Sequence, residues 1–203
     1  MAPAAPSETR RLFIAVMLPT AVQERLAGLI GLLDTHRAIL RPTRPEGLHF
    51  TLRFLGNMTA AQEQQIMEAV AAAVEGVSAF PLAIGGFGAF PNTRRPRVVW
   101  LGLREGAAPL IALQRHVEDE LLRRALVPDS EEFTPHLTLA RVRQEATPAA
   151  RAALGAALAA LPAREQARST ARAVSLVHSV LTPQGSRYTI LNDWPLAIGV
   201  RDR

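Results

Sequence analysis

The chain has no cysteine and no lysine, and no apolar run long enough to cross a bilayer. The missing cysteine excludes disulfides, thiolate nucleophiles and cysteine-based zinc sites, and it agrees with a reducing compartment. A zinc hydrolase built on His-Glu-x-x-His has no counterpart here either. The longest early apolar run, Leu12 to Leu18, is far short of a membrane span. The first residues, MAPAAPSETRR, lack the apolar stretch of a signal peptide. They read as a flexible tail over residues 1–10, and a soluble cytoplasmic protein without a membrane partner is the expectation.

Hydrophobic residues make up 48% of the 203, enough to build a core. The formal net charge is +5, and every one of the 23 basic residues is arginine. Arginine grips phosphate through paired N–H groups, so a polyanionic substrate fits. A GC-rich coding sequence would give the same bias, so charge alone does not decide.

Periodicity divides the chain into alternating elements. Leu12 to Leu18 reads as a buried strand. A helix follows from Thr20, with Gln23 placed for a capping box and apolar positions through Leu33. A loop with two prolines precedes a strand from His49 to Leu55. Thr59 and Gln62 mark another helix start, running to about Glu75. Phe80 to Phe90 and Val98 to Leu103 read as strands, and Ala107 to about Leu126 as a helix. A strand from His136 to Val142 and an alanine-rich helix from Pro148 to Leu161 come next. A long strand, Ala171 to Leu181, then turns at Pro183-Gln184-Gly185 into a hairpin partner. The second half roughly repeats the first. No glycine- or serine-rich linker separates them, which favours one α+β domain over residues 1–203, made of two intertwined, mainly antiparallel lobes.

One tetrapeptide occurs twice. His49-Phe50-Thr51-Leu52 and His136-Leu137-Thr138-Leu139 are both His-x-Thr-Leu. Two chance copies would arise in roughly one random chain in a thousand of this composition. On a strand, residues i and i+2 share a face, so each copy presents an imidazole and a hydroxyl together. Two imidazoles can act as acid and base without a metal, and hydroxyls can donate to phosphate oxygens as charge develops on them. Two strands brought side by side would therefore suit displacement at phosphorus. A nucleotide- or RNA-binding module using the same cleft is the competing reading, although binding alone does not require two proton-transfer groups.

At these residues the sequence resembles the two-histidine (2H) phosphoesterases, most closely the bacterial RNA 2′,3′-cyclic phosphodiesterases, also called 2′-5′ RNA ligases. Further similarity lies in Arg11-Leu12-Phe13-Ile14-Ala15, Phe54-Leu55-Gly56, Arg95-Pro96-Arg97-Val98-Val99-Trp100, Phe133-Thr134-Pro135, Gly185-Ser186-Arg187-Tyr188 and Trp194-Pro195-Leu196. The resemblance implies a bilobal α+β fold, with two pseudo-symmetric, mainly antiparallel sheets and outer helices around a central cleft. It implies metal-free hydrolysis of RNA 2′,3′-cyclic phosphate ends to 2′-phosphomonoesters and reversible 2′-5′ ligation; no cofactor and a monomer are the expectations for this chain. Carried over, His49 is the proton donor, His136 the proton acceptor, and Thr51, Thr138 and Arg141 hold phosphate.

Arg141 sits five residues past His136, an odd offset that faces away from the cleft in an ideal strand; a bulge would turn it back. Arg53, four past His49, has the right parity and is a candidate substrate contact. Phe13, which could stack a base, and His178, on the late strand, are further candidates. His36 and His116 fall in helix patterns and read as surface residues. The loop arginines Arg94, Arg95 and Arg97 could steer RNA or simply keep their loop in water.

Overall fold

The computed structural model describes residues 9–129, 132–183 and 185–198. Most of the expected tail, and Gln184 of the expected turn, lie outside them. Thr9 and Arg10 are not tail: they open the first strand, β1 (Thr9–Met17). There they pair with Thr59 and Met58.

The other strands are β2 (Leu40–Pro42), β3 (His49–Thr59), β4 (Phe80–Phe90), β5 (Val98–Glu105), β6 (Leu137–Val142), β7 (Glu165–Ala171), β8 (Ala173–Thr182) and β9 (Gly185–Pro195). The α-helices are α1 (Thr20–Ala27), α2 (Ala60–Val74), α3 (Ala107–Arg123) and α4 (Pro148–Ala160). The short strands β2 and β7 are not apparent from sequence. β2 has three residues, too few for an alternation to show. β7 is polar at most positions and lies one residue before β8.

Local sequence explains several boundaries. Thr59 accepts from the Gln62 backbone while the Gln62 side chain accepts from the Thr59 N–H, so the expected capping box starts α2. The corresponding expectation at Thr20 fails. Pro19 occupies the N-cap of α1 without a side-chain bond, and Gln23 is buried, donating Nε2 to the Leu48 carbonyl at 3.2 Å. The helix also ends earlier than its apolar spacing suggests. From Gly28 to Ile39 the backbone is 3₁₀, with Leu33 outside helical geometry. Gly28 and Gly31 carry the weak helix propensity expected of glycine.

The strands form one antiparallel sheet in the order β7-β4-β5-β6-β3-β1-β8-β9, with β2 added alongside β6. Two lobes are recognisable within it. Helices α2 and α3 pack together and cover β3, while α1 and α4 pack against β7 and β4. Since α1 follows β1 but covers the opposite lobe, the lobes are intertwined. The sequence reading of two sheets needs one correction. The halves meet in a single sheet, joined at β3 and β6 through the pair Phe50–Leu137.

The apolar core lies between sheet and helices, with Ile14, Phe50, Leu101, Leu137 and Leu176 all fully buried. A smaller apolar cluster, Phe13, Ala15 and Val177, lies on the other face, beneath the cleft.

Candidate active site

The Phe50–Leu137 pair sets the geometry of both motifs. Both side chains are fully buried. In an antiparallel pair the flanking residues run in opposite directions, so His49 stands across from Thr138 and Thr51 across from His136. The two imidazoles and two hydroxyls share the face opposite the core. There they line one cleft of about 350 Å³. Neither threonine hydroxyl has a protein partner among the described residues, so both are free to donate into it.

Strand irregularities decide which other residues reach the cleft. On β6, Trp100 pairs with Thr138 but Val99 pairs with Ala140, leaving Leu139 as an extra residue. This bulge shifts the alternation by one, and Arg141 lines the cleft with His136 and Thr138. The odd offset noted in the sequence is thereby resolved. The same device operates on β3, where Ala15 pairs with Thr51 and Ile14 with Arg53, making Leu52 the extra residue. Phe54 is consequently turned into the cleft and is 60% exposed.

Arg53 goes the other way, out of this cleft and into an adjoining pocket that it lines with Thr51, Phe54 and His136. Its guanidinium donates to Glu118 Oε1 of α3 at 2.8 Å and to the Pro128 carbonyl at 2.5 Å. Two expectations change. Phe13 is only 2% exposed and stacks on the His49 ring, with centroids 4.7 Å apart. It supports the imidazole and offers no open face to a base. His178 pairs with Leu12, a core residue, and so lies on the opposite face from Ser179 and Leu181, which line the cleft.

Each imidazole is held by aromatic rings. Tyr188 meets His49 edge-on at 5.4 Å, alongside Phe13. Phe90 meets His136 edge-on at 4.7 Å, with Trp100 at 6.5 Å. Trp100 lies across Gly88, where a Cβ would collide with its ring, so only glycine leaves that space.

Burial pushes the His49 pKa down to about 4; the Gly47 carbonyl opposes the shift, and the charge of a protonated His136 adds to it. Its Nδ1 is buried without a hydrogen-bond partner of good geometry. His136 is also shifted down, chiefly by burial, with the nearby Arg141 contributing and the Thr134 carbonyl opposing. His136 Nδ1 lies 2.8 Å from that carbonyl. An oxygen there can only accept, so Nδ1 carries the proton and Nε2 presents its lone pair.

The cleft lining contains Arg11 and Arg141 and no carboxylate. Among the described residues no three His, Asp or Glu side chains converge in a metal-ligating group. Sequence reasoning does not single out Arg11, Thr43, Phe54 or Tyr188 as substrate contacts. Arg11, Phe54 and Tyr188 nevertheless fall in segments that carry the family resemblance, and Arg11 also lies two residues before Phe13 on the same strand; Thr43 has no such signal. The loop arginines Arg94, Arg95 and Arg97 line a different pocket, with Arg151. No helix among the described residues is long and apolar enough to cross a membrane.

The chain is similar to known proteins over most of its length. Residues 20–181 match the family model described as the 2′-5′ RNA ligase superfamily. The chain is 34% identical over 179 residues to the RNA 2′,3′-cyclic phosphodiesterase of Methanothermobacter thermautotrophicus, covering 88% of this chain and 95% of the relative. It is 33% identical over 142 residues to the Escherichia coli protein of the same name, covering 69% and 76%. Among solved structures, E. coli LigT complexed with 3′-AMP superposes with a TM-score of 0.72 at 27% identity, covering 93% of this chain and 99% of that one. A Thermus thermophilus protein superposes with a TM-score of 0.76 at 26% identity, covering 93% and 98%.

Proposed function

The chain belongs to the 2′-5′ RNA ligase superfamily, and we propose that it hydrolyses RNA 2′,3′-cyclic phosphate ends to 2′-phosphomonoesters. The observation that carries this reading is the meeting of the two His-x-Thr motifs across β3 and β6, facing one carboxylate-free cleft beside Arg141.

In this mechanism the cyclic phosphate lies between the imidazoles. His136 Nε2 takes a proton from water as the water oxygen bonds to phosphorus. The bond from phosphorus to O3′ breaks in line, and His49 gives its proton to O3′. The products are a 3′-hydroxyl and a 2′-phosphomonoester. Thr51, Thr138 and Arg141 hold the non-bridging oxygens, where charge builds. The Thr134 carbonyl supports His136 as base, since it orients the ring and stabilises the imidazolium that forms. A buried His49 is protonated with difficulty in the empty cleft; a bound anion makes that proton easier to hold, and its intrinsic acidity makes it easy to release. With the 5′-hydroxyl of a second strand in place of water, the same displacement forms a 2′-5′ bond as the bond from phosphorus to O3′ breaks, and attack of O3′ on that phosphorus reverses it.

Acid, base and donors are all side chains of one chain, so the reaction needs neither metal nor a second subunit. The whole chain acts as one bilobal unit, a monomer working in the cytoplasm. The test is turnover of an oligonucleotide ending in 2′,3′-cyclic phosphate, with excess chelator present and product ends identified. A 2′-phosphate is expected. A 3′-phosphate, or activity that chelator abolishes and one added metal restores, would overturn the mechanism. Binding without turnover would favour the non-catalytic RNA-binding module instead.

A further inference from the structure

Beyond Arg141 the cleft continues into a second pocket of about 440 Å³. The two share Thr43, Arg141 and Tyr188 among their walls, so they form one groove. Three arginines and no carboxylate line this extension. Arg41 on β2 is the direct register partner of Arg141 on β6. Like charges directly opposite on neighbouring strands destabilise a sheet. Neither Arg41 nor Arg141 has a side-chain hydrogen bond or ion pair among the described residues, and both are exposed. Two unneutralised guanidinium groups side by side, at the mouth of a phosphate-handling cleft, are arranged for an anion. Arginine binds phosphate oxygens through two parallel N–H donors.

We infer that this extension, centred on Arg41, holds the phosphate on the 5′ side of the terminal nucleoside. The inference rests on the cyclic phosphate lying between His49 and His136. A nucleoside with its 2′ and 3′ oxygens in that ring has one remaining position for phosphate, the 5′ oxygen. During hydrolysis water replaces any second strand, so a second phosphate near the histidines belongs to the same strand. Arg141 then stands between the two phosphates, and Arg41 contacts the outer one. The preferred substrate is an oligonucleotide end, not a free nucleoside cyclic phosphate. Recognition is insensitive to base identity at this subsite, because phosphate carries no sequence information.

Three substrates test this: a nucleoside 2′,3′-cyclic phosphate, the same compound with a 5′-phosphate, and a dinucleotide with a 2′,3′-cyclic end. For the wild type, kcat/KM for the second and third should exceed that for the first by roughly ten- to a hundredfold, the range of a hydrogen bond to a charged group. Arg41→Gln should bring those ratios close to one, and Arg41→Lys should keep part of them. Equal kcat/KM on all three substrates, or wild-type ratios retained in Arg41→Gln, would overturn the subsite. Should no substrate turn over, the hydrolase reading fails by itself. The subsite is then decided by binding of a dinucleotide with a free 3′-hydroxyl: wild type should bind more tightly than Arg41→Gln, and equal affinity would overturn it.

Discussion

Phe50 and Leu137 are paired across the contact of β3 and β6, and both are fully buried. Each is the middle residue of a His-x-Thr triplet, so one apolar pair aligns four polar groups on the reverse face. A large-to-small change at such a site should cost stability and alignment together. Phe50→Ala should destabilise by about 3–5 kcal/mol in denaturant titrations. The surviving folded fraction should lose kcat more than its KM rises.

His49→Ala and His136→Ala should each lower kcat by about a hundred- to ten-thousandfold, with near-native far-UV circular dichroism. Both act on one transition state, so the double variant should lose less than the product of the single losses. Thr51→Ala and Thr138→Ala should cost less, since each removes one neutral donor of several. Wild-type turnover by folded His136→Ala protein would refute the two-histidine mechanism.

The pH dependence follows from the histidine shifts. In the free enzyme His49 must be protonated, with a pKa of about 4, while His136 must be neutral, with a pKa below its ordinary 6.5. The reactive form is therefore most abundant on the acid side of 6.5, and kcat/KM should peak there. Bound phosphate raises the His49 pKa, so the kcat profile should lie at higher pH. Measuring both profiles checks this; a kcat/KM optimum above pH 7 would contradict it.

The same shift affects stability. The folded His49 pKa is depressed, so below pH 6.5 the unfolded chain takes up a proton that the folded chain resists. The contribution is complete above 6.5 and is lost as pH falls toward about 4. It amounts to about 3 kcal/mol at about 1.4 kcal/mol per pH unit. His49→Phe should show a shallower fall in thermal midpoint between pH 7 and pH 4 than the wild type.

Arg53 and Glu118 form an ion pair with side chains only 11% and 10% exposed. Removing one partner leaves a charge that is largely buried and unpaired. Arg53→Met should destabilise by about 3 kcal/mol, with KM for a cyclic-phosphate oligonucleotide near the wild-type value. A rise in KM without loss of stability would make Arg53 a substrate contact.

Arg141→Gln should weaken binding of a single-stranded RNA end and make it less salt-dependent. The slope of log affinity against log salt should fall by about 0.7, the value for one phosphate no longer neutralised. An unchanged slope would show that Arg141 does not meet phosphate.

The faces of the two motifs follow from sequence, because a period of two puts His49 with Thr51 and His136 with Thr138 wherever the strands lie. The α2 cap follows from it too, through side chains three residues apart. What lies five residues past each histidine was settled by tertiary structure. The alternation carries through Thr51 and Thr138 and then breaks, because Leu52 and Leu139 are each left over in pairing with β1 and β5. The displaced phase turns Phe54 and Arg141 into the cleft and sends Arg53 to Glu118 on α3. A bulge arises from a mismatch between two strands, so neither strand's own sequence reveals it. The pairing of Arg41 with Arg141 is hidden for the same reason: it joins residues far apart in the chain, through a strand too short to show a pattern.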